Sequence, residues 1–137
     1  MKKVNVLLGT EVSNNNILLS YWSILYENLR NLKNNNIEIN FFYEINERLT
    51  DADIIILSSR FFYKKNNQNI NKILLLLEKI NKINSNIIWF DLRDSAGTTQ
   101  FEVMPYVKKY LKGQIYKDIK KYSKPMYGGR YYTNYYF

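Results

Sequence analysis

The stretch TDADIIILSS, residues 50–59, places four apolar residues in a row between polar residues that precede them and small polar residues that follow. A short apolar run of this kind is typical of a strand that is buried in a parallel sheet. The same pattern, or alternation with period two, recurs in KVNVLLG (3–9), IEINFFYEI (37–45) and NIIWFDL (86–92). A fifth short strand is predicted near YVKKYL (106–111).

Helical periodicity separates these strands. Apolar residues recur at three- and four-residue steps after the first strand and again within residues 69–83, and a basic helix is predicted after the fifth strand. The first helix is predicted to place Ile17, Leu18, Trp22, Leu25, Tyr26, Leu29 and Leu32 on its apolar stripe, and the basic helix to place Ile115, Ile119 and Tyr122 on one face. The alternation predicts an α/β fold: a doubly wound, mostly parallel, Rossmann-like sheet of about five strands with helices on both faces. Trp22 and Trp89 are predicted to lie in the core.

Composition excludes several chemistries. The 137 residues suit one domain, and the sequence has no Cys and no His. It therefore lacks thiol nucleophiles, disulfides, the commonest general base and the commonest metal ligand, and neither a metal site nor a cofactor is predicted. No apolar run approaches the roughly 20 residues that cross a bilayer, and the N-terminus does not resemble a signal peptide. These features favour a cytoplasmic protein.

The basic charge is concentrated near the C-terminus. The formal net charge of +8 comes from 20 basic and 12 acidic side chains, and residues 108–137 hold eight of the basic ones but only Asp118 among the acidic ones. The predicted basic patch consists of Lys117, Lys120, Lys121 and Lys124. Such a patch attracts phosphate in lipid, nucleotide or nucleic acid, or it is simply a solvated lysine face.

Three polar loops follow predicted strands and are expected to meet at one sheet edge, where doubly wound proteins bind ligands. Their candidate catalytic residues are Glu11, Asp91 and Asp94. Their candidate residues for binding an acceptor or a phosphate are Gly9, Thr10, Ser13, Arg60, Arg93, Ser95, Gly97 and Thr98. Backbone N–H groups near Thr98 are expected at a helix N-terminus that suits an anion.

Structural roles compete with these functional ones. Asp91 can pair with Arg93 or a lysine, and Asp94, Ser95 or Thr98 can cap the next helix. The stem of Arg60 can cover neighbouring apolar residues. The sequence leaves both interpretations open.

Three known site types are disfavoured. The first loop lacks G-x-G-x-x-G, and no G-x-x-x-x-G-K-[ST] occurs in the sequence. A phosphoacceptor receiver domain needs an acidic pair after the first strand and a lone aspartate after the third. Leu-Gly-Thr and Ser-Ser-Arg stand at those positions.

With strands and loops placed, the chain resembles the N-terminal Rossmann-like half of a bacterial GT-B-type glycosyltransferase of surface-polysaccharide or glycan biosynthesis. The resemblance rests on residues 50–59, on IIWFDLRDSAGTTQFEVMPYVKKYLKGQ (87–114) and on KPMYGGRYYTNYY (124–136). It implies an acceptor-side domain over residues 1–124 and an aromatic tail, 125–137, that leads to a missing donor domain.

That resemblance also implies a function. Such an enzyme transfers a sugar from a nucleotide-sugar to a glycan or lipid-linked acceptor, without a bound metal, and this half alone would be inactive. Its base would be Glu11, Asp91 or Asp94. The lysine patch would then contact the inner membrane face peripherally, and apolar surface left by the missing domain would favour self-association.

Two further functions are retained as alternatives. One is a stand-alone flavodoxin-like module that binds a nucleotide or phosphate in the same crevice. The other is a nucleic-acid-binding domain that uses the lysines and interleaved tyrosines. Nucleic acid is the least favoured partner, because no recognised binding motif occurs.

Overall fold

The computed structural model of the chain describes residues 1–9, 12, 16–63, 69–93 and 96–123. Its centre is a sheet of five parallel strands in the order β2-β1-β3-β4-β5. The strands are β1 Lys2–Leu7, β2 Ile37–Phe42, β3 Ile54–Ser58, β4 Ile87–Asp91 and β5 Lys109–Lys112. The predicted doubly wound α/β fold is confirmed.

One face of the sheet carries the larger core. Its helices are α3 Glu47–Thr50, α4 Ser59–Tyr63 and α5 Ile70–Ile83, followed by a 3₁₀ helix at Phe101–Tyr106. Leu57 and Trp89 of the strands pack here with Leu77 of α5 and Val103, and all four are fully buried. Side chains alternate along each strand, so this face also receives Asp91 and Lys112, which are paired in the β4–β5 register.

Smaller helices lie on the opposite face. They are a 3₁₀ helix at Ile17–Leu19, α1 Ser23–Glu27 and α2 Leu29–Asn34. Ile17 and Trp22 are buried against Val4, Val6 and Leu8. Trp22 and Trp89 are both core residues, as predicted.

The prediction of one continuous first helix is wrong, because two polar residues divide it. Ser20 donates from Oγ to the Ile17 carbonyl at 2.6 Å, and the same oxygen accepts the Trp22 N–H at 3.1 Å. Asn28 separates α1 from α2, and its amide donates to the Ile24 carbonyl at 2.7 Å. These local bonds compete with the helical ladder, and they leave Leu18 and Tyr26 of the predicted stripe exposed.

The predicted basic helix after β5 is replaced by a short 3₁₀ helix at Ile119–Ser123. The helix begins directly after Asp118, whose carboxylate accepts the Lys120 N–H at 3.1 Å as an N-cap residue does. Ile115 and Ile119 are exposed and do not form the expected buried face with Tyr122. Lys117 and Lys120 are exposed, whereas Lys121 lies 5.6 Å from the ring centre of Tyr116.

No helix in the described ranges is long and apolar enough to span a membrane. The predicted division at residue 124 stays a prediction, because residues 124–137 lie outside the described part of the chain.

Candidate functional site

The carboxyl end of β4 holds a buried ionic cluster centred on Asp91, whose side chain is fully buried. The Oδ1 atom accepts the backbone N–H of Arg93 at 3.0 Å and lies 3.4 Å from its Nε. The Oδ2 atom accepts the Tyr110 hydroxyl proton in a short hydrogen bond and lies 3.5 Å from Lys112 Nζ. Both carboxylate oxygens therefore have charged and neutral partners, as a buried carboxylate requires.

The β4–β5 register builds this cluster. In this register Trp89 is paired with Tyr110, and Asp91 is paired with Lys112. Because strand side chains alternate, Tyr110 and Lys112 project to the same face as Asp91. The Gly113 N–H donates to the Asp91 carbonyl at 2.9 Å, so the pairing continues just beyond β5.

Tyr110 stays protonated far into the alkaline range. Burial raises the pKa of its hydroxyl, and the hydrogen bond to the Asp91 carboxylate raises it further. A backbone N–H from Gln100, at 3.0 Å, acts in the opposite direction on that pKa. Tyr110 is thus a fixed hydrogen-bond donor and not a proton carrier at neutral pH.

Arg93 has hydrogen-bonding capacity left over. Only 13% of its side chain is exposed, and its Nη2 atom is buried without a hydrogen-bond partner among the residues that the structure describes. Within the same described set, the buried Oε1 atom of Gln100 also has no hydrogen-bond partner. Lys112 Nζ donates to the Arg93 carbonyl at 3.1 Å and lies 3.5 Å from Asp91 Oδ2, which places a second cation in the cluster.

A small cavity lies beside Leu92, on the sheet face that carries Trp22 and not on the face of the Asp91 cluster. It has a volume of about 160 Å³ and is lined by Val12, Asn16, Leu19, Ser20, Tyr21, Trp22, Arg60 and Leu92. Arg60 donates from Nε to the Leu92 carbonyl at 3.3 Å, and its guanidinium lies 5.3 Å from the Tyr21 ring centre. The Ser59 hydroxyl accepts the Leu92 N–H at 2.9 Å, so the first residue of α4 is joined to the residue after β4.

The structure brings some of the predicted site residues together. Asp91 and Arg93 are in contact, and Arg60 is held beside them through Leu92. Gly9 is buried, and its carbonyl accepts the Val12 N–H at 3.0 Å. Thr10, Glu11, Ser13, Asp94, Ser95 and Lys124 lie outside the described residues.

Thr98 does not cap the next helix, which is one of the two roles considered for it. That 3₁₀ helix begins at Phe101, and its N-cap position is Gln100, which makes no side-chain capping bond. A helix of six residues also offers little of the N-terminal dipole that the anion hypothesis assumed. Gly97 and Thr98 lie half-buried in the loop after β4.

Sequence reasoning missed Tyr110, Lys112 and Gln100. The first two were recognisable only as part of a predicted strand and of a basic region. Placing residues 106–112 in register beside β4 would have found Tyr110 and Lys112, because residues two apart on β5 face the same side as Asp91.

Fold and site together define a flavodoxin-like α/β protein with a buried ionic cluster at the carboxyl edge of its sheet. No protein-family model and no curated protein matches the chain. A similar solved structure is a response regulator receiver protein from Burkholderia phymatum, with 15% identity, a TM-score of 0.46, and coverage of 84% of this chain and 86% of that one. At this identity the likeness concerns the fold alone.

The glycosyltransferase resemblance drawn from the sequence is wrong. The similar structure is a response regulator receiver protein, not one half of a GT-B enzyme. The partners that followed from the resemblance are withdrawn with it: the nucleotide-sugar, the glycan or lipid-linked acceptor, the membrane contact and the self-association. Its catalytic roles for Glu11, Asp91 and Asp94 lose their basis as well.

Proposed function

We propose that this chain is a flavodoxin-like binding module that takes a phosphate-bearing small ligand at the carboxyl edge of β3, β4 and β5. The observation that carries the proposal is the buried Nη2 atom of Arg93, which has no hydrogen-bond partner among the described residues and belongs to a cluster with Asp91 and Lys112. A buried donor without a partner costs about 1–3 kcal/mol. A ligand oxygen that accepts from it recovers that cost.

The charges near Arg93 favour an anion. Asp91 holds the guanidinium through Nε, which fixes its orientation and leaves Nη2 directed elsewhere. Lys112 adds a second positive charge, 3.5 Å from the Asp91 carboxylate. Arginine is well suited to phosphate because its planar donors match the phosphate oxygens.

A ligand that extends from Arg93 past Leu92 is limited in size by the small cavity there. Its volume of about 160 Å³ is below the roughly 300–1,000 Å³ of pockets that enclose whole drug-sized ligands. The cavity suits a phosphoryl group or one ring, with the remainder of a nucleotide outside it. Tyr21 and Arg60 at its mouth provide a stacking surface for such a ring.

The proposal is tested by thermal unfolding of the full chain with orthophosphate, pyrophosphate or adenosine diphosphate. A ligand present at 100 times its Kd stabilises the folded state by about 2.7 kcal/mol, which raises the Tm by several degrees. We expect at least one of the three probes to raise the Tm of the wild-type protein in this way.

The matched variants are Arg93→Gln, which removes the proposed ligand contact, and Arg30→Gln, which removes an exposed arginine of α2. Arg93→Gln should abolish the Tm shift, while Arg30→Gln should retain it. Equal shifts in both variants, or no shift with any probe in the wild-type protein, would mean that Arg93 only braces the loop after β4.

A further inference from the structure

The sheet face opposite the larger core is covered unevenly. α1 and α2 lie over the β1–β2 side, and Trp22 packs edge-to-face on Phe90 with ring centres 5.4 Å apart. Beyond Trp22, the described elements leave apolar side chains of β3, β4 and β5 partly exposed on this face. These side chains are Ile54, Ile56, Ile88 and Leu111, of which the first three are partly exposed and Leu111 is 46% exposed. Ile54 and Ile56 also pack against the buried cluster of this face. We call this set the open face.

The open face continues into a concave, basic end. A cleft of about 380 Å³ is lined by Ile54 and Ile88 together with Lys2, Asp53, Asn86, Lys108 and Lys109. The three lysines are exposed. The carboxylate of Asp53, the one acidic residue of this lining, accepts the Lys3 backbone N–H at 2.7 Å. The rim of the cleft is therefore positive.

We propose that the open face docks an acidic amphipathic helix of a protein partner. The apolar stripe of such a helix would cover Ile56, Ile88 and Leu111, and its carboxylates would meet Lys2, Lys108 and Lys109. A five-residue strand spans about 17 Å, which roughly three helical turns match at about 5.4 Å each. A helix laid on a partner's apolar surface is an established mode of peptide recognition.

Charge favours an acidic helix over a second copy of the chain as the occupant of the open face. The chain carries a net charge of +8, and two lysine rims brought together would repel each other. An acidic partner gains attraction from the same lysines. The observations therefore favour a heterologous, acidic partner.

The test uses the full chain and a fluorescent 14-residue probe peptide. The peptide has leucine at positions i, i+3 and i+4 of each seven-residue repeat and glutamate elsewhere. A second peptide with lysine in place of glutamate is the charge control. Fluorescence anisotropy should show saturable binding of the acidic peptide and much weaker binding of the basic one.

Two matched pairs of variants locate the contact. Leu111→Gln should weaken binding about tenfold, the equivalent of 1.4 kcal/mol, while Leu75→Gln, on an exposed leucine of α5, should leave it unchanged. Lys109→Gln should weaken binding and reduce its dependence on salt, while Lys79→Gln on α5 should do neither.

Each alternative occupant has its own signature, and each would overturn the proposal. Should Leu111→Gln lower the Tm of the peptide-free chain far more than Leu75→Gln, the chain itself covers the face. A dimer in sedimentation that Leu111→Gln dissociates would assign the face to a second copy. Absence of binding, or equal binding of both peptides, would rule out an acidic helix.

Discussion

Asp91 is the residue on which the candidate site depends, because it is the only acidic group among the described members of the cluster. It orients Arg93 and accepts from Tyr110, and it lies against Lys112. The sequence identified Asp91 and Arg93 because both follow an apolar strand. It did not identify Tyr110 and Lys112, because they approach Asp91 only through the register of β5 beside β4.

Replacing Asp91 with Asn should be strongly destabilising, because it leaves two buried cations without their counter-charge. Breaking a buried ion pair costs about 3–5 kcal/mol. Urea unfolding of the full chain measures this loss. Asp51→Asn serves as the control, since Asp51 pairs with Lys3 at 2.7 Å on the surface with 81% of its side chain exposed. A similar loss in both variants would show that Asp91 does not hold the cluster together.

Replacing Tyr110 with Phe should change how stability depends on pH. The pKa of the folded-state hydroxyl is raised above its ordinary value of 10.0. The unfolded chain therefore loses this proton first, and the wild-type protein loses stability as the pH rises above about 10. That part of the alkaline loss should be absent from Tyr110→Phe.

The free energy of unfolding at pH 9 and at pH 11 measures this effect, with Tyr21→Phe as the control because Tyr21 is 62% exposed. Tyr110→Phe should also cost about 1–3 kcal/mol at neutral pH, since Asp91 loses a buried donor. An alkaline loss as steep in Tyr110→Phe as in the wild-type protein would contradict the assigned hydrogen bond.

Strands were easier to predict from the sequence than helices. β3 and β4 are short apolar runs with no competing pattern, and both form where predicted. The first helix was predicted as continuous because the spacing of apolar residues does not reveal the hydrogen bonds from the side chains of Ser20 and Asn28 to the backbone. The basic segment after β5 was predicted as a longer helix, but only a short 3₁₀ helix forms, and it begins directly after Asp118.

α5 is the element that closes the larger core, and its two faces make distinct predictions. Leu77 is fully buried against the sheet, whereas Leu75 is 59% exposed. Leu77→Ala should cost about 2–5 kcal/mol, because it leaves a cavity between α5 and the strands. Leu75→Ala should have little effect on the urea midpoint. Equal effects would mean that α5 is rotated from its assigned orientation.

The whole molecule shows what a sequence pattern can and cannot establish. Alternating strands and helices predicted the doubly wound sheet, because burial of apolar faces leaves few other arrangements. The same pattern did not establish a chemistry. The glycosyltransferase resemblance largely rested on residues 87–114, whose described part contains a strand, a 3₁₀ helix and a second strand. Such elements occur in α/β proteins of many functions.

The two candidate functional surfaces of this protein are therefore the carboxyl edge of the sheet and the open face. The first carries the buried Arg93 edge, and the second carries apolar residues beside lysines. The two surfaces belong to different parts of the molecule, so loss of phosphate binding and loss of peptide binding should occur in different variants.

Binding of a phosphoryl group by the cluster around Asp91 is best measured by following the backbone amide resonances of the full chain during titration with orthophosphate. We expect saturable shifts of the amide resonances of residues 91–93, 97–100 and 110–113, with little change at the exposed Lys117 and Lys120. Shifts confined to exposed lysines, or shifts that never saturate, would contradict the claim and assign the cluster a purely structural role.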